Sequence, residues 1–171
     1  MIPVFSVISS KSNVGKTTAL CHIIRELKSR GYKVATIKHH GYDFDIDHPG
    51  KDTWMHADAG ADIVAISSPN KIAIIEKVEK EYTLDEVVSK IENVDIIITE
   101  GYKWENKPKV EVFRKEISKE VFSKAQELIA MITDTYIEND IPQFNFSEIK
   151  KLVDFIESKF LKNNKNKAII N

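Results

Sequence analysis

The chain opens with an apolar run of strand length, Ile2-Pro3-Val4-Phe5-Ser6-Val7-Ile8, and turns polar over residues 10–17. Beyond that loop, Ala19, Leu20, Ile23, Ile24 and Leu27 recur at the spacing of one helix face, and Gly31 stands where a helix C-terminal glycine belongs. Residues 33–38 (Lys-Val-Ala-Thr-Ile-Lys) read as a second strand, completing a β-α-β unit. The segment 39–52 is poor in aliphatics and dense in His, Asp and Gly, which marks a functional loop. Asp52 is placed to cap a short helix running through Ala59 and ended by Gly60. Residues 62–67 and 71–77 flank Pro69-Asn70 and read as a hairpin.

Further along, Thr83 and Glu86 form a capping box ahead of Leu84, Val87, Val88 and Ile91. Residues 94–99 (Val-Asp-Ile-Ile-Ile-Thr) suit a central parallel strand buried on both faces, ending at Glu100-Gly101. The pattern predicts a half-exposed strand at 109–114, a polar helix over 118–126 and a buried strand at 128–133. Ser147 is placed to cap a last helix with Ile149, Leu152, Val153, Ile156 and Phe160 on one face. Strands and helices alternating in this way predict an α/β fold, a three-layer α/β/α sandwich with a mostly parallel sheet. At 171 residues the chain fits a single domain, 1–171, whose last stretch, 163–171, is expected to be a frayed end.

Charge changes the picture by exclusion. With 25 basic and 26 acidic residues and a net charge of −1, nothing marks a general nucleic-acid or membrane surface. The lone Cys21 excludes an internal disulfide and a Cys-rich zinc cluster, and its place in the first helix fits a small buried side chain. The N-terminal apolar run is too short to span a bilayer and has no basic leader, so a cytoplasmic protein is expected. Lys162, Lys165 and Lys167 read as a solvated end rather than a nucleic-acid arm.

The polar loop carries the chemistry. Ser-Lys-Ser-Asn-Val-Gly-Lys-Thr at 10–17 fits the phosphate-binding pattern G-x-x-x-x-G-K-[ST], with Ser10 in place of the first glycine. Gly15 lets backbone N–H groups turn toward a phosphate, Lys16 neutralises it, and the Thr17 hydroxyl suits its magnesium ion. The helix that starts here directs its positive dipole end at the anion. The fold is therefore expected to be of the P-loop NTPase type, with ligands beyond the carboxyl ends of the strands.

That rule draws the loops after the second strand and after Glu100 toward the phosphate. Glu100 is either a magnesium ligand, direct or through water, or an ordinary strand-end acid; Gly101 lets the chain turn close to the nucleotide. Asp43, Asp45 and Asp47 alternate, so in extended chain they share a face, either lining a metal site and positioning a water or forming a solvated loop. Lys38, His39 and His40 end the second strand within reach of phosphate or a second substrate, and no zinc-ligand spacing links His39, His40, His48 and His56. For base recognition, Asn70-Lys71-Ile72-Ala73 lacks the acid of Asn-Lys-x-Asp and reads as a turn, leaving Thr133-Asp134 as the candidate.

Together these residues resemble the MobB family of molybdopterin-guanine dinucleotide biosynthesis. The similarity spans about residues 2–114 and rests on Ser-Asn-Val-Gly-Lys-Thr-Thr at 12–18, Ile37-Lys38-His39-His40, the run from Asp43 to Thr53, Ala59-Gly60-Ala61, and Ile98-Thr99-Glu100-Gly101-Tyr102-Lys103. The resemblance implies a GTP-binding, weakly hydrolysing accessory protein that assists a MobA-like guanylyltransferase in joining GMP to molybdopterin, acts as a homodimer and uses magnesium. It further implies that Ser12, Asn13, Val14, Gly15, Lys16, Thr17 and Thr18 bind phosphate, that Thr17, Glu100 and Asp45 serve the metal, and that Asp45 and Asp47 lie beside the γ-phosphate. The sequence also admits a small-molecule kinase of the same fold, with Asp45 or Asp47 as base, or a nucleotide-gated metallochaperone or adaptor using the His-rich loop. The kinase reading lacks an Arg-rich lid: Arg25 and Arg30 lie on the first helix and Arg114 at a strand end.

Overall fold

The computed structural model describes residues 1–162, so the frayed end expected at 163–171, with Lys165 and Lys167, lies outside the described residues. In chain order the elements are β1 (Val4–Ile8), α1 (Lys16–Ser29), β2 (Val34–Lys38), α2 (Asp52–Asp58), β3 (Ile63–Ser68), β4 (Lys71–Glu76), α3 (Leu84–Ser89), β5 (Ile96–Glu100), β6 (Lys109–Phe113), β7 (Leu128–Thr133), β8 (Gln143–Phe144), a 3-10 turn (Phe146–Glu148) and α4 (Ile149–Phe160). The described chain divides into two compact units, residues 1–39 with 88–162, and residues 40–87.

The larger unit is built on a six-stranded sheet in the order β2-β5-β1-β6-β7-β8, with every pairing parallel. This is the α/β class with a mostly parallel sheet that the strand–helix alternation predicts. β1 runs between β5 and β6, with Val7 opposite Glu100 and Ile8 opposite Glu111. The loop that leaves β1 is therefore flanked by the end of β5 on one side and the end of β6 on the other.

Phe5, Val7, Ile96, Ile98, Val110, Val112, Ala130 and Ile132 alternate along their strands and so share a sheet face, where they pack in one cluster with α1 and α4. Ala19, Leu20, Ile23 and Leu27 are the buried stripe of α1. Full burial of a Leu or Ile side chain is worth roughly 1.5–3 kcal/mol, so this stripe fixes the helix that carries Lys16 and Thr17. At its far end Arg30 donates to Asp154 Oδ1 (2.7 Å) and Glu157 Oε2 (2.9 Å) of α4, and its Nε to Glu26 Oε1 (2.9 Å), while the Tyr32 hydroxyl donates to Glu157 Oε1 (2.5 Å).

In the larger unit the structure corrects four sequence expectations about its elements. β6 is not half-exposed: Lys109 and Glu111 are buried with their apolar neighbours. Their charges are compensated internally, Lys109 Nζ bonding Glu127 and the Glu105 carbonyl (2.8 Å), and Glu111 accepting from Phe122 N and Ser123 N, each at 2.8 Å. Those last two bonds explain why no helix forms over 118–126, since backbone donors that a helix would need are held by a carboxylate on β6. The cap near α4 is Asn145, not Ser147: Asn145 Oδ1 accepts from Ser147 N (2.9 Å) and Glu148 Oε2 from Asn145 N (3.1 Å), a capping box on the 3-10 turn. Finally, Cys21 is half-buried rather than buried.

In the smaller unit β3 and β4 pair antiparallel across the Pro69-Asn70 turn, with Val64 opposite Ile75 and Ile66 opposite Ala73. Val64 is buried, whereas Ile63, Ile66, Ile72 and Ile74 are each more than half exposed. Asp52 is the first residue of α2 rather than its cap, because Lys51 holds the N-cap position without a side-chain bond. Thr83 and Glu86 do form the expected capping box, Thr83 N donating to Glu86 Oε2 (2.7 Å) and Glu86 N to Thr83 Oγ1 (3.3 Å).

Candidate nucleotide site

The loop between β1 and α1 closes around a cavity of about 470 Å³ lined by Ser12, Asn13, Gly15, Lys16, Thr17, Thr18, Lys38 and Glu100. Its curvature depends on left-handed backbone at Asn13 (φ 60°) and Gly15 (φ 103°). Asparagine tolerates that region, whereas the φ of Gly15 strains any side chain, and a Cβ there would also press on Phe146 Cζ at 3.2 Å. The first turn of α1 carries no acidic residue, so no charge of the helix's own offsets its positive end at the cavity.

Lys16 Nζ donates to Ser9 Oγ (2.9 Å) and to the Lys11 carbonyl (3.3 Å), which holds the ammonium over the loop. Burial lowers its pKa, the neighbouring Lys103 and Lys38 add to that, and Glu100 opposes it. Thr17 Oγ1 donates to Glu100 Oε1 at 3.0 Å. Lys38 faces the same carboxylate from the next strand, since it pairs with Glu100 in the β2–β5 register. The cavity thus concentrates positive charge around the Glu100 carboxylate and the Thr17 hydroxyl bonded to it. This donor set fits a magnesium–polyphosphate, in which Thr17 and Glu100 would hold the ion and the lysines and loop N–H groups the phosphates. Among the described residues no group of three or more His, Cys, Asp or Glu side chains is assembled as a metal site, and none is needed for an ion that takes phosphate and water oxygens.

Several anticipated residues sit elsewhere. The Val14 side chain is fully buried, and its carbonyl accepts from Arg114 Nε at 3.1 Å. His39 does not line the cavity: its N–H donates to the Glu100 carbonyl (3.0 Å), its ring lies 4.6 Å from that of Tyr102, and its Cβ would be 3.2 Å from a Cβ on Gly101. It braces the turn at Gly101, whose φ of 96° only glycine adopts easily. Asp134 Oδ1 accepts from Lys115 N (3.0 Å), and the residue borders a separate hollow of about 240 Å³ with Thr133, Tyr136, Gln143 and Asn145.

Asp43, Asp45 and Asp47 belong to the smaller unit, where with Phe44, Trp54 and Ile75 they border a cavity of about 400 Å³. A hydrogen bond from Thr53, then one from His48 N (2.8 Å), holds the Asp47 carboxyl below the usual carboxylate range.

Sequence reasoning missed Ser9, Lys103, Arg114 and Phe146 as parts of the loop's support. Lys103 Nζ donates to the Ser10 carbonyl at 3.3 Å, and the Arg114 guanidinium lies 4.8 Å from the centre of the Phe146 ring. Lys103 was legible as the last residue of the Glu100-Gly101-Tyr102-Lys103 run; Arg114 and Phe146 carried no local signal, because only the strand order brings them to the loop.

A glycine-lysine-threonine loop leading from an inner parallel strand into a helix, with a carboxylate at the end of the neighbouring strand, defines the class: a P-loop α/β protein of the NTPase type, a fold that suggests nucleotide binding. The chain belongs to the family described as Molybdopterin guanine dinucleotide synthesis protein B (MobB), which matches it over residues 4–134. It is 31% identical over 153 residues to the molybdopterin-guanine dinucleotide biosynthesis adapter protein of Haemophilus influenzae, covering 88% of this chain and 86% of that one. To the adapter protein of the same description in Escherichia coli it is 30% identical, covering 91% of this chain and 92% of that one. The crystal structure of Bacillus subtilis MobB superposes with a TM-score of 0.75 at 25% identity, covering 94% of this chain and 99% of that one. A further crystal structure, of a molybdopterin-guanine biosynthesis protein B, superposes with a TM-score of 0.73 at 28% identity, covering 91% of this chain and 98% of that one. Among the described residues no helix is long and apolar enough to cross a membrane.

Proposed function

We propose that the protein binds magnesium–GTP in the β1–α1 loop, hydrolyses it slowly, and serves as an accessory to a MobA-like guanylyltransferase that attaches GMP to molybdopterin. The observation that carries this reading is the Thr17–Glu100 hydrogen bond at 3.0 Å beside Lys16, in a cavity that Lys38 also lines. In this reading Lys16, Lys38 and the N–H groups of 12–18 hold the phosphates, Thr17 and Glu100 hold the ion, and Gly101 lets the chain turn at the end of β5. Bound magnesium would neutralise charge on the phosphate oxygens. Asp134, beside its own hollow, is the proposed base contact.

Asp45 and Asp47 are assigned to the hydrolytic step on the strength of the motif that contains them. The homodimer is supported by the isoleucines that β3 and β4 leave exposed. The names of the Haemophilus and Escherichia relatives as adapter proteins support a role alongside a partner enzyme. The test is co-purification with the guanylyltransferase at graded GTP concentrations. Capture that rises with GTP and is lost in Lys16→Ala supports the reading, and capture indifferent to GTP and to Lys16 contradicts it.

A further inference from the structure

β6 ends beside the β1–α1 loop because the strand order places it next to β1. Arg114, the first residue past β6, sends its Nε–H to the Val14 carbonyl at 3.1 Å. Its guanidinium stacks at 4.8 Å on the Phe146 ring, which in turn lies against Gly15, 3.2 Å from where a Cβ would be. Phe146 is itself fixed by the Asn145–Glu148 capping box. Neither Arg114 nor Phe146 lines the phosphate cavity, whereas Gly15 does. They brace the loop from behind.

A trans peptide plane directs its carbonyl and its N–H oppositely. Anchoring the Val14 carbonyl to Arg114 therefore turns the Gly15 N–H away from the guanidinium and toward the cavity. We propose that Arg114 is a positioning residue of the phosphate site, which holds the Val14–Gly15 peptide with its N–H aimed at the bound phosphate while Phe146 keeps the guanidinium in place. The inference deepens the nucleotide-site reading and rests on it. A loop whose amide is oriented beforehand binds an anion without first ordering itself, and this is where affinity is gained.

The test measures binding of inorganic tripolyphosphate and of magnesium–GTP to the full chain and follows the Gly15 amide by 1H–15N resonance shifts. Wild type, Lys16→Ala, Arg114→Ala and Arg114→Lys are compared, with thermal unfolding as a control. The expected result is abolished binding in Lys16→Ala and binding weakened about fivefold in Arg114→Ala, the worth of one ordinary hydrogen bond. The ligand-induced shift of Gly15 should shrink in Arg114→Ala, and Arg114→Lys should restore part of both. Binding and a Gly15 shift equal to wild type in Arg114→Ala, with Lys16→Ala still inactive, would overturn the positioning role and leave the site standing. Wild type that binds neither probe, or Lys16→Ala that binds both as well as wild type, would bring down the site reading and the positioning role with it. If the alanine variant fails to fold, Arg114→Met, which keeps the stem but has no donor for the Val14 carbonyl, decides: weakened binding with a smaller Gly15 shift supports the role, and wild-type values for both overturn it.

Discussion

Thr17, in the first turn of α1, donates a 3.0 Å hydrogen bond to Glu100, the last residue of β5, across 83 positions of sequence. Parallel pairing of β1 with β5 creates the relationship, because it delivers both strand ends to one edge of the sheet. The same carboxylate also opposes the lowering of the Lys16 pKa. Glu100 therefore tunes the ammonium as well as facing the hydroxyl.

Replacing Glu100 by Gln should weaken magnesium-dependent nucleotide binding by about tenfold or more, the usual cost of losing a carboxylate near a metal. Because Glu100 raises the Lys16 pKa, the substitution should also move that pKa further down, visible by NMR titration of the lysine side chain. An unchanged magnesium titration would remove Glu100 from the site.

Most of this pair was legible in the sequence. The Gly-Lys-Thr run announces phosphate, and the β-branched run ending at Glu100 announces a buried strand whose end reaches the ligand edge. What stayed hidden is the support behind the loop, since Arg114 and Phe146 reach it only through the order β1-β6-β7-β8. β6 was misread because Lys109 and Glu111 imitate the polar face of a half-exposed strand. Their compensation by Glu127 and by two loop amides has no sequence pattern of its own.

Glu111 offers a direct measure of that compensation. Glu111→Gln keeps the shape but sets an NH2 group against one of two backbone donors, so stability should fall by roughly 1–3 kcal/mol. Amide exchange at Phe122 and Ser123 should accelerate more than exchange in β1. Unchanged chemical denaturation would show that the buried carboxylate contributes nothing.

The α1–α4 ion network predicts an alkaline weakness. Burial, then the hydrogen bond to Glu157, pushes the Tyr32 hydroxyl up to about 12 from an ordinary 10.0. A raised acid pKa means that the neutral phenol stabilises the fold fully below pH 10.0, and that this contribution is lost as pH climbs toward about 12. Burial works against the charge on Arg30, yet Asp154, Glu26 and Glu157 together raise its pKa, so it stays charged throughout. Unfolding free energy in this window should fall more steeply for wild type than for Tyr32→Phe. Parallel curves would place the effect elsewhere.

The exposed isoleucines of the β3–β4 hairpin predict an assembly. Ile72 and Ile74 are 64% and 63% exposed. Introducing Lys at both should convert the proposed homodimer into a monomer in sedimentation while far-UV circular dichroism stays the same. Wild type that sediments as a monomer at micromolar concentration would contradict the dimer.

Asp45→Ala should leave folding and nucleotide affinity within about twofold of wild type and lower GTP turnover, because the proposed function assigns the residue to the hydrolytic step. Equal turnover would make Asp45 a solvated loop acid.

The proposed function depends most on the identity of the ligand in the β1–α1 loop. Equilibrium titration of GTP and ATP, each with magnesium, against wild type and Lys16→Ala tests it directly. GTP should bind more tightly than ATP, and Lys16→Ala should lose at least tenfold in affinity, as expected for removal of a charge-assisted contact to phosphate. Tighter binding of ATP, or Lys16→Ala binding GTP as wild type does, would contradict it.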